Sequence, residues 1–112
     1  MQVQVTLKDM PQSEAVETRI REKANKLKRF SDRIMTCRVV VETPQRHKHQ
    51  GKLYSAHIDL TVPGAELVAN RAQDEDVYIA IRNAFAAITR QLEDFARRQR
   101  GEVKTHQERN LI

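Results

Sequence analysis

Between Val77 and Phe95 the apolar residues Val77, Ile81, Ala84, Phe85, Ile88, Leu92 and Phe95 recur at steps of three and four. That period puts them on one stripe of a helix, with polar and charged residues around the rest of its circumference. A long helix with a single apolar stripe must be laid on another apolar layer, which rules out a free-standing rod. Asp74, Glu75 and Asp76 precede the stripe, and Arg97, Arg98 and Arg100 crowd its far end. Both poles of the helix dipole are thereby complemented, with Asp74 the expected cap and Gly101 the expected stop. The dipole gives no reason for Arg82 and Arg90 in mid-helix. An anion outside the chain is the simplest one.

The layer to receive that helix is visible upstream. Val3, Val5 and Leu7 alternate with Gln2, Gln4 and Thr6, the period of a half-buried strand. Pro11 ends it, and Ser13 is placed to cap a helix starting at Glu14, whose stripe is Val16, Ile20, Ala24, Leu27 and Phe30. Ser31-Asp32 closes that helix. A second strand runs from Met35 to Glu42 with Met35, Cys37, Val39 and Val41 on one face. The third carries Tyr54, Ala56, Ile58, Leu60 and Val62 on one face and Ser55, His57, Asp59 and Thr61 on the other. Pro63-Gly64 predicts a hairpin into a fourth strand over about 66–72. The order β-α-β-β-β-α, one apolar face per element, predicts an α+β two-layer sandwich. Its four-stranded sheet has both helices on one face, as in double-stranded-RNA-binding domains. One domain over 1–101 is expected, with 102–112 a flexible C-terminal tail lacking apolar periodicity.

Twenty Lys and Arg against 15 Asp and Glu leave a formal net charge of +5. Such a balance favours a polyanionic partner and is silent on fold. On helix geometry Arg19, Lys23 and Lys26 fall together beside the first stripe, while Arg82, Arg90, Arg97 and Arg100 share an outward arc of the long helix. If the helices lie side by side, these stripes form one basic surface. The outward strand positions Gln4, Thr6, Thr36, Arg38, Val40, His57 and Asp59 include no Phe or Tyr, which argues against a base-stacking sheet. Phosphate contacts that read RNA shape fit better.

Other chemistry finds little support. Cys37 is the one cysteine, expected to be buried and inert, so no internal disulfide or Cys-rich zinc site is available. His57 and Asp59 project to one side of a strand, but nothing brings His47 or His49 to them, and a metal needs three or four converging donors. No Gly-rich phosphate loop or activated nucleophile occurs, and Asp74-Glu75-Asp76 are explained by the helix start. The reading is a non-enzyme without metal, cofactor or small-molecule substrate. It is expected to be cytoplasmic and off the membrane, since no signal-peptide pattern or spanning apolar run is present.

Glu75-Asp76-Val77-Tyr78, then Ala80-Ile81 and Arg90-Gln91-Leu92, resemble the ribosome hibernation-promoting factors and ribosome-associated inhibitors, also called sigma-54 modulation proteins. Lys23, Lys26, Leu27 and Arg29 match the family's basic first helix, and Thr61-Val62-Pro63-Gly64 its hairpin. The similarity spans roughly 1–100, that is, nearly all of the expected domain. It implies a short-form translation inhibitor that occupies the decoding channel of the small ribosomal subunit, contacts ribosomal RNA through basic helix faces, and blocks messenger and transfer RNA. It also implies a protein that is monomeric off the ribosome. Lys23, Lys26, Arg29 and Arg90 carry over from the family pattern; Arg19, Arg82, Arg97 and Arg98 are added from helix placement.

The chain departs from the family at three places. Ala87 stands where many members carry a lysine. The loop from Thr43 to Lys52 is longer and more basic than in compact members, so Arg46, Lys48 and Lys52 are auxiliary RNA-contact candidates. The segment after Gly101 exceeds a minimal short form. The competing function is a structured- or double-stranded-RNA-binding module unconnected with the ribosome. That reading calls for a basic start to the last helix, where this chain has three acids.

Overall fold

The computed structural model describes residues 1–43 and 53–110, with backbone alone for Arg71 and 102–110. The auxiliary candidates Arg46, Lys48 and Lys52 lie outside the described residues. The elements follow the expected order: β1 (Gln2–Lys8), α1 (Glu14–Lys26), β2 (Thr36–Glu42), β3 (Tyr54–Val62), β4 (Ala65–Asp74) and α2 (Val77–Asn110). A single 3-10 turn, Leu27–Arg29, extends α1.

The sheet runs β1-β2-β3-β4 in space, with β1 and β2 parallel and the other neighbours antiparallel. Parallel neighbours need a long crossover, and α1 supplies it. Its start is capped as expected: Ser13 Oγ accepts from the Val16 amide at 3.2 Å. Val62 pairs with Ala65 across Pro63-Gly64. Gly64 adopts φ +82, the conformation that a type II turn with Pro before it requires.

Both helices cover one face of the sheet. Cys37, Val39, Val41, Ala56, Ile58 and Leu60 from the strands meet Ile20, Ala24, Ile81, Ala84 and Ile88 in one core, all fully buried. Full burial of each large aliphatic side chain contributes about 1.5–3 kcal/mol, so this core is the main stabilising element. The other face is the half-exposed row of Gln4, Thr6, Arg38, Val40, His57 and Asp59. Among the described residues no helix is long and apolar enough to cross a membrane.

Several boundaries differ from expectation. Met35 precedes β2 and is 56% exposed; its amide donates to the Thr61 carbonyl while its side chain points to solvent. β4 is longer than expected and reaches Asp74, which pairs with Tyr54. The cap of α2 therefore moves to Asp76: its carbonyl accepts from the Ala80 amide at 3.0 Å and its Oδ1 from the Tyr78 amide at 2.8 Å. Asp74 Oδ1 in turn accepts from the Asp76 amide at 2.9 Å. Gly101 does not stop α2, whose 34 residues make it about 51 Å long. A bulge between Ala56 and Ile58 sets one extra β4 residue opposite β3, so Ala69 and Ala72 both face the core although three apart in sequence.

Candidate nucleic-acid interface

A stripe that packs downward leaves its flanking residues at the rim of the seam between the helices. On α1 and its 3-10 turn these are Lys23, Lys26 and Arg29; on α2 they are Arg82 and Arg90. The five cations line a cleft of about 490 Å³ floored by buried Leu27 and Phe85, with Glu93 its one acid. Net charge at the rim is thus 5 − 1 = +4. None of the five cations forms an ion pair or side-chain hydrogen bond among the described residues. Lys and Arg cover apolar surface with their stems and keep their heads in water, so the crowding is compatible with folding.

A second basin of about 320 Å³ continues along α2, lined by Arg97, Arg100 and Ala96 and sharing Arg29, Phe30 and Glu93 with the first. The two basins make one trough from Arg82 to Arg100, about 27 Å at the helical rise of about 1.5 Å per residue. Arg97 is partly neutralised by Asp94 at 2.8 Å.

Two expected residues stand apart. Arg19 lies 4.9 Å from the centroid of the Tyr78 ring and ties α1 to the start of α2, outside the lining of both basins. Arg98 is exposed but lines neither. Phe30 was expected in the α1 core stripe and is 42% exposed at the junction of the basins. The physical reason is the 3-10 turn, where the Phe30 amide donates to the Leu27 carbonyl at 3.0 Å. That turn rises about 2.0 Å per residue instead of about 1.5, carrying Phe30 beyond the side chains over the sheet. Its sequence signal was position: it follows Lys28-Arg29 and precedes the helix-ending Ser31-Asp32.

Elsewhere the chemistry is structural. Burial pushes the Cys37 thiol up to about 11, so it stays protonated and unreactive at neutral pH. His57 Nε2 meets Asp59 Oδ2 at 3.0 Å, and its Nδ1 faces Asn70 Oδ1, all on the open sheet face away from the trough. Among the described residues no group of three His, Cys, Asp or Glu could hold a metal ion.

The fold is that of two solved structures. The N-terminal domain of Protein Y from Thermus thermophilus matches with a TM-score of 0.72 at 21% identity, over 85% of this chain and 99% of that one. A ribosomal subunit interface protein from Coxiella burnetii matches with a TM-score of 0.67 at 20% identity, over 86% of this chain and 98% of that one. No curated protein matches significantly. Residues 3–100, a span that includes every cation of the trough, match the family described as sigma 54 modulation protein / S30EA ribosomal protein, and the chain belongs to that family.

Proposed function

We propose that this chain is a ribosome-binding hibernation factor. It lodges the seam between α1 and α2 against ribosomal RNA in the decoding channel of the small subunit and thereby excludes messenger and transfer RNA. The observation that carries the reading is the cluster of five cations, without ion-pair partners among the described residues, contributed by two helices to one cleft. Family membership supplies the ribosome as the polyanion. The mechanism is electrostatic anchoring followed by steric occlusion, and it takes place in the cytoplasm without catalysis.

Phosphate contacts position a protein on RNA and release counterions, so affinity falls steeply with salt. Residues 1–101 are the binding unit, and the part of α2 after Gly101 lies outside it. A free duplex-RNA module is disfavoured because Asp74, Glu75 and Asp76 open α2, where such a module presents cations to phosphates. The test is sedimentation with ribosomes through sucrose at low and high salt. Salt-sensitive comigration with the small subunit or the joined ribosome is expected; absence from every ribosomal fraction at low salt ends the reading.

A further inference from the structure

The junction of the two basins is chemically unlike either of them. Arg29, Phe30 and Glu93 line both basins, so the formal charges at the junction cancel, and Phe30 is its exposed aromatic. A phosphate arriving there gains no net charge, because the Glu93 carboxylate offsets the Arg29 guanidinium. A nucleobase meets an apolar ring face and an acceptor for its amino protons. On either side the polarity reverts: Lys26 and Arg90 stand in the first basin, Arg97 and Arg100 in the second. Cation, aromatic with acceptor, cation is the order in which a single strand presents phosphate, base, phosphate.

We infer that the junction of Phe30 and Glu93 is a seat for one unpaired RNA base bearing an exocyclic amino group, held between two phosphate-binding basins. The inference rests on the RNA-binding reading of this cleft and adds to it that the RNA there is single-stranded. Phe30 supplies stacking, which every base can satisfy. Glu93 supplies selection, because a carboxylate accepts from the amino group of cytosine and finds no donor of that kind on uracil. A duplex keeps its bases stacked on each other and cannot use the seat.

The experiment titrates the full chain into fluorescein-labelled eight-nucleotide oligocytidine, oligouridine and an RNA duplex of equal length, and sediments each protein with ribosomes in parallel. Wild type binds oligocytidine more tightly than oligouridine. Phe30→Leu weakens both single strands by about tenfold, within the range that loss of one base–aromatic stack produces. Phe30→Tyr retains the binding, and Glu93→Gln erases the cytidine preference while the thermal melt stays in place. Phe30→Leu binding both single strands like wild type overturns the seat, as does a duplex whose binding Phe30→Leu weakens as much as that of the single strands. Oligomers that fail to bind a wild-type chain that still comigrates with ribosomes also overturn it, and leave the ribosome reading intact. Loss of wild-type comigration at low salt overturns that reading instead, whatever the oligomers do.

Discussion

Replacing Lys23 and Lys26 together by Gln is the sharpest test of the cleft, because it removes two charges and keeps most of both stems. If all five cleft cations contact phosphate, the counterion relation gives a slope of log affinity against log salt between about −3.5 and −4.5. Removing two contacts brings it to between about −2.1 and −2.7. Raising salt fourfold then weakens wild type by roughly 130- to 500-fold and the variant by roughly 20- to 40-fold. At 0.1 M salt the variant starts about 25- to 60-fold weaker. Folding pays little for the change. Neither lysine has an ion-pair partner among the described residues, but both sit in the last turn of α1, where each complements the dipole by about 0.3–1 kcal/mol. A melt lowered by several degrees with a native circular dichroism spectrum is therefore expected. The assay is ribosome pelleting over a salt series. Equal slopes for the two proteins would refute phosphate contact by these residues, however large the difference in affinity.

Four further outcomes follow from single contacts. Asp76→Ala removes the α2 cap and lowers stability by about 1 kcal/mol, while Asp74→Ala does less; thermal melts of the pair identify the true cap. Arg19→Ala loses a ring contact of about 0.5–1 kcal/mol and melts earlier, with a smaller effect on ribosome pelleting than Arg82→Gln or Arg90→Gln. Cys37 is held at about 11 against its ordinary 9.0, so the folded state retains the proton longer and stability falls as pH rises through that window. Denaturant titrations at pH 8 and pH 10.5 then show a loss that Cys37→Ala lacks, and thiol reagents label Cys37 at neutral pH only on unfolding. A chain ending after Gly101 pellets with ribosomes as the full chain does.

The element order and most of the core were legible because their signals are local. Alternation in β3 and steps of three and four in α2 need nothing beyond the segment itself, and Pro63-Gly64 specifies its own turn. What escaped depended on neighbours. Asp74 reads as a cap until Tyr54 pairs with it and extends β4, which moves the cap to Asp76. The bulge that turns both Ala69 and Ala72 inward is a property of two strands together. Phe30 fits the α1 stripe until the helix tightens at Leu27. The same division holds for the cleft. Lys23, Lys26, Arg82 and Arg90 could be assigned to stripe margins one helix at a time, but their sharing of a cleft requires α1 beside α2. Arg19 has an equivalent margin position, yet the Tyr78 ring takes it up.

That division bears on how the charges are tolerated. Two unit charges 8 Å apart in water repel by about 0.5 kcal/mol, and physiological salt screens much of this. Crowding Lys23, Lys26, Arg29, Arg82 and Arg90 around one cleft is thus a small burden on a fold held by its core, provided the charged heads stay hydrated. The cleft meets that condition because its floor is apolar Leu27 and Phe85, which the lysine and arginine stems cover. A polyanion laid across the rim turns the residual repulsion into attraction, so the free protein holds unfavourable energy that binding releases. Stability and binding draw mainly on different residues here: substitutions below the rim change the melt most, and substitutions on it are read chiefly in the salt slope.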